Sequence, residues 1–167
     1  INTGSGNQGI TASVPLVVWG KDHHAGRELL YRSLIVSNLI TIHLKEGIGK
    51  LSAYCGVISA GCGAACGMCY QDGGDLEAVS HTLVNALAVN SGVVCDGAKP
   101  SCAAKIASAI EAGLLGYEMY RHGSQFRGGE GIVSKGVENT IRNISRLARE
   151  GMQETDREII EIMTACC

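Results

Sequence analysis

The stretch LSAYCGVISAGCGAACGMCY, residues 51–70, decides how the rest of the chain reads. Leu51, Tyr54, Cys55, Ile58, Cys62, Ala65, Cys66 and Cys69 fall at offsets 0, 3, 4, 7, 11, 14, 15 and 18. That is the 3.6-residue period of a helix, and at about 100° per residue its four cysteines share one face. The spacing therefore predicts one apolar helix from about Leu51 to Cys69. Its glycines would let neighbouring helices approach closely.

The same period recurs on either side. Leu76, Val79, Leu83, Ala86 and Leu87 form a stripe with Asp75 as N-cap. Val137, Ile141, Ile144, Leu147 and Ala148 form another. Thr155-Asp-Arg-Glu158 reads as a capping box before a last helix. Residues 28–45 are apolar nearly all round and predict a central buried helix, and 103–120 predict one more. Strand-like alternation is missing, and glycine clusters at 4–9, 47–49, 73–74 and 128–131 mark loops. The expected fold is all-α, a single compact domain (1–167) of six or seven helices.

The net charge is −2, and lysine and arginine are scattered with few aromatics among them, which argues against nucleic acid as a partner. No apolar run approaches a membrane span, and the start lacks a signal-peptide pattern. Eight cysteines in so helical a chain point to reduced thiols in a cytoplasm rather than to a disulfide scaffold. The opening INTGSGNQG, without an initiator Met, reads as a piece of a longer protein.

Cys62, Cys66 and Cys69 have the C-x3-C-x2-C spacing with which radical S-adenosylmethionine enzymes hold a cluster. Those enzymes place it in a loop after a strand; here it lies on a helical stripe, so packing thiols are the expectation. The segment SGVVCDGAKPSC (91–102) is different. Gly97 and Pro100 break helix between Cys95 and Cys102, and a helix N-terminus following a cysteine turn favours anionic ligands. Cys55 would come from a neighbouring helix. On spacing alone the three are either ligands or core residues.

With GSGNQGITASVP (4–15), LSAYCG (51–56), VCDGAKPSCAAK (94–105) and EGMQETDREIIEIM (150–163), the chain resembles the iron–sulfur-dependent L-serine dehydratase alpha-chain superfamily, closest to the branch containing L-cysteine desulfidase. The resemblance covers the whole chain, as the C-terminal domain of a longer protein. It implies a 4Fe–4S cluster held by Cys55, Cys95 and Cys102 with one iron left open. It also implies a lyase reaction on L-cysteine or L-serine. The metal polarises the leaving group, a base removes the α-proton, and the enamine hydrolyses to pyruvate and ammonia. Ser5, Asn7, Gln8 and Gly9 would meet the substrate carboxylate. The base is expected in an N-terminal domain, which carries a Gly-Cys-Thr-Glu-Pro stretch in the family and is absent here.

Other readings stay open. The GSGNQG bend could simply cap a helix, or grip a carboxylate as in pyridoxal-phosphate dehydratases, although no Schiff-base lysine or phosphate loop accompanies it. Asp96 could hydrogen-bond the turn or a substrate ammonium, Lys99 could offset the cluster's negative charge or be a solvated surface lysine, and Lys105 has no stronger claim. None of His23, His24, His43, His81 and His122 shows metal-ligand spacing. Cys166 and Cys167 could reach a cluster as a temporary ligand or be a tail. The whole could also be a non-enzymatic zinc-storage or redox module. Neither the choice between serine and cysteine nor a homo-oligomeric state leaves a mark on the pattern.

Overall fold

A computed structural model of the chain describes residues 1–165. Among them are seven α-helices: α1 (Gly6–Asp22), α2 (Arg27–Ile48), α3 (Gly56–Gln71), α4 (Leu76–Val89), α5 (Cys102–Arg121), α6 (Val137–Arg146) and α7 (Gln153–Ala165). A π-helical turn, Leu147–Gly151, joins the last two. The described residues hold no sheet, only isolated bridges Asn2–Ser5 and Tyr54–Val94, so the all-α expectation is met.

The central helix is α3, packed against α1, α2, α4 and α5. Its residues are small enough to be surrounded, and all but Tyr70 are buried. Three of its glycines sit where backbone or side chain of a neighbour leaves no room for a methyl group: Gly61 against Ala109 of α5, Gly63 against Ser37 and Thr41 of α2, and Gly67 against Leu16 of α1 and Ser33 of α2. Buried polar groups tie the same elements. The Gln71 amide donates to Leu16 O (3.1 Å) and to Ser33 Oγ (2.7 Å). Asn85 of α4 donates to Gly116 O of α5 and accepts the Phe126 N–H (both 3.0 Å), fixing the 122–136 connection.

Four expectations change. Helix α3 begins at Gly56, not Leu51. Residues 53–55 instead pair with 93–95, with Cys55 N–H donating to Val93 O (3.0 Å) and Cys95 N–H to Ala53 O (2.6 Å). Leu51 is consequently 97% exposed, and Cys55 is the extended N-cap of α3 rather than part of its stripe. Second, α2 is not buried all round. It turns Ser33, Ser37 and Thr41 toward the glycine face of α3, because only small side chains fit so close an approach. Ile35 and Leu39, 58% and 59% exposed, point away. Third, Leu76 is exposed, so the inward stripe of α4 runs from Ala78 to Leu87. Fourth, α7 starts at Gln153, which puts Thr155 inside its first turn, and it buries no residue. The Asp75 cap is as expected, its carboxylate accepting Ala78 N–H at 2.9 Å. No helix of the described residues is long and apolar enough to cross a membrane.

Candidate functional site

The site is built where the 53–55 and 93–95 segments pair. The pairing brings together two cysteines that are distant in sequence, and their thiols hydrogen-bond each other. Cys55 also accepts the Val57 N–H at the start of α3, and Cys95 accepts the Gly97 N–H. Cys102 opens α5, and its sulfur accepts the Lys99 N–H at 3.4 Å while lying 3.6 Å from Gly97 O. Each of the three sulfurs thus receives a main-chain N–H, two of them at helix N-termini, where the dipole favours negative charge.

Cations complete the surroundings. Lys105, one turn into α5, donates to Asp96 Oδ1 (2.6 Å) and Val94 O (2.9 Å), and its charge faces Cys55 and Cys102. Lys99 reaches the other Asp96 oxygen at 3.5 Å. Asp96 is held below the usual carboxylate range, chiefly by the Lys105 hydrogen bond. Lys45 of α2 is buried and faces Cys95 and Cys55. Sequence reasoning gave Lys105 no special weight and passed over Lys45. Its signal was present: Ser37, Thr41, Leu44, Lys45 and Ile48, all buried, share a helical period that places a lysine on the inward stripe.

The thiol pair behaves as one acid. Cys55 donates its S–H to Cys95; with the Gly97 N–H and Lys105 this pulls Cys95 down to about 5, against the opposing effect of burial. Cys55 keeps the proton and is pushed up. In the metal-free protein Cys95 should therefore alkylate with iodoacetamide at a rate nearly constant from pH 8 to 6. An ordinary thiol loses roughly tenfold per pH unit over that range. The depressed value means that the thiolate disappears only as pH falls through about 5. Cys55→Ala should restore the ordinary slope, read by peptide mass spectrometry.

Cys62, Cys66 and Cys69 lie inside α3, all buried. Burial pushes Cys62 up to about 12 and raises the other two, so they are neutral packing thiols in helix, not a cluster loop. Cys166 and Cys167 lie outside the described residues.

The GSGNQG bend sits at the same end of α3. Gly56, next to Cys55, has no room for a methyl group because the Gln8 side-chain amide fills that place. Gln8 Oε1 also accepts from Thr3 Oγ1 at 2.8 Å. The Ser5 hydroxyl caps α1 by accepting Gln8 N–H at 3.4 Å, Asn7 is half-buried, and Gly9 is pressed against the Ile1 backbone. Ser5 thus caps the helix, and the bend lies beside Cys55.

Among the described residues no three His, Cys, Asp or Glu side chains close on one point suited to a single metal ion. A hollow of about 750 Å³ lies away from the cysteines and is lined by residues including His81, Phe126 and Lys135.

The chain matches the serine dehydratase alpha chain family over residues 1–161. It is 62% identical over 167 residues to a UPF0597 protein of Desulfitobacterium hafniense, covering all of this chain and 39% of that protein. It is 49% identical over 163 residues to a UPF0597 protein of Finegoldia magna, covering 98% and 39%. To one of Lachnoclostridium phytofermentans it is 50% identical over 163 residues, with the same coverage. The chain therefore spans about two fifths of these curated relatives. No solved structure matches it. By the extent of the family match, the chain belongs to the serine dehydratase alpha chain family.

Proposed function

We propose that this chain is the cluster-carrying part of an iron–sulfur-dependent lyase that eliminates the β-substituent of L-cysteine or L-serine. The products would be pyruvate, ammonia and sulfide or water. The observation that carries the reading is the donor set: Cys55, Cys95 and Cys102 each accept a main-chain N–H, with lysines close by. Hydrogen bonds of that kind tune cluster sulfurs. The three thiols come from separate segments, Cys55 before α3, Cys95 in the 93–95 pairing and Cys102 at the start of α5, and cysteine sulfur is the donor type that iron–sulfur clusters take.

When bound, such a cluster supplies one iron without a protein ligand, a Lewis acid for the departing hydroxyl or thiol. The chain's own part is to hold and orient. Cys55, Cys95 and Cys102 would be the ligands. The first turn of α1 leaves main-chain N–H groups unpaired by the helix, of which Ser5 takes that of Gln8. The remaining N–H groups, with the Asn7 side chain, would meet the substrate carboxylate. Gln8, wedged between Thr3 and Gly56, fixes the bend relative to Cys55. The base would come from the part of the longer relatives that this chain does not span.

The test is an anaerobic assay of the full-length protein, reconstituted with iron and sulfide, with L-cysteine and L-serine separately. Pyruvate from one or both is expected, with sulfide released from cysteine. No pyruvate from either, together with stoichiometric zinc and no iron, would replace the lyase with a metal-storage or redox module.

A further inference from the structure

Lys45 is 4% exposed. Among the described residues it makes no ion pair, and no hydrogen bond engages its ammonium. Lys99 and Lys105, by contrast, both reach Asp96. A lysine held inside with no carboxylate partner is costly, and a helix that merely packed would carry an aliphatic residue there. Its neighbours on the inward stripe, Leu44 and Ile48, belong to the same hydrophobic cluster as Tyr54, Cys55 and Val57, with Cys95 packed against it. The ionisable groups that face Lys45 are Cys95 and Cys55. We propose that Lys45 is the counter-cation of the cysteine site, a positioning residue whose charge balances the anionic cluster that Cys55, Cys95 and Cys102 would hold; this rests on the lyase reading above.

The charge argument fixes a direction. A cluster with three thiolate ligands is net negative when oxidised and more so when reduced. A nearby fixed cation therefore favours loading and favours the reduced form more than the oxidised one. Without a cluster, the same ammonium faces only the single negative charge of the Cys55–Cys95 pair, so less charge is present to offset the cost of its burial than in the loaded protein. Lys45 should thus stabilise the loaded protein more than the metal-free one, a difference that a purely structural lysine would not show.

The experiment compares wild type, Lys45→Met and Lys45→Arg as full-length protein reconstituted anaerobically. Iron and sulfide per chain, loss of iron to a chelator, the midpoint potential, and the melting temperature with and without metal are measured. Lys45→Met is expected to lower the melting temperature more in the loaded than in the metal-free protein, to lose iron at least tenfold faster, and to have a more negative potential. Lys45→Arg, which keeps the charge, is expected to retain the wild-type potential. An unchanged potential and chelator rate in Lys45→Met would overturn the assignment, as would an equal drop in melting temperature in both forms. If wild type itself takes up no iron, the cluster reading fails in its own control and the role of Lys45 falls with it.

Discussion

Replacing Cys55, Cys95 or Cys102 singly by serine should reduce iron and sulfide uptake to less than about a tenth of wild type, whereas Cys66→Ser should leave both unchanged. A serine hydroxyl remains protonated where a thiol ionises, so it is a poor ligand to iron. The substitutions are clean because their structural costs are small. At Cys55 the serine is itself a favoured N-cap for α3, and at Cys102 it enters a half-buried first turn of α5. At Cys66 the thiol is buried and donates weakly to Val79 O at 3.6 Å, a partner that a serine hydroxyl can also reach. A cost of about 1 kcal/mol in stability is expected there, with no effect on metal. Iron and sulfide analysis and visible absorption after anaerobic reconstitution read the outcome, with circular dichroism as the check on folding. Normal uptake in the Cys95 variant and loss in the Cys66 variant would move the chemistry into α3.

What sequence could and could not show follows from the range of the contacts. Asp75 was legible as a cap because the cap and the Ala78 N–H it satisfies are three residues apart. The helix through Cys62–Cys69 was legible because its period is local. Its start was not, since the pairing of Ala53 and Cys55 with residues 93–95 is made across some forty residues and leaves no periodic trace. The inward face of α2 was misjudged for a related reason. A pattern search looks for the large apolar stripe, yet the partner helix has glycines at Gly63 and Gly67 that accept only Ser33, Ser37 and Thr41. Cys55, Cys95 and Cys102 were singled out through resemblance more than spacing. Lys45 escaped notice because one lysine in an apolar helix looks like a surface residue until the stripe is traced through Ser37 and Thr41.

Gly61→Val should destabilise the chain by about 3 kcal/mol and lower iron content as well. A Cβ at this position would lie 2.7 Å from Ala109 O and 2.8 Å from Ala109 Cβ. The oxygen belongs to the backbone of α5 and cannot rotate away. From the other side, a Cβ at Gly113 would lie 2.8 Å from Ala65 Cβ and 3.0 Å from Gly61 O, so α3 and α5 approach closely over about one turn. Valine can enter only if α5 moves outward. Because α5 begins with Cys102 and α3 is capped by Cys55, the same displacement separates two of the proposed ligands. For a chain of this size the expected fall in melting temperature is roughly 6–12 °C, measured by circular dichroism. Gly92→Ala, where nothing lies within 4 Å, should change it by less than about 3 °C. Adding Ala109→Gly to Gly61→Val removes the Cβ clash but not the carbonyl one, so only partial recovery is expected. Recovery to wild type would place the strain in side chains, and a Gly61→Val protein that melts like wild type would mean that the two helices do not approach at this contact.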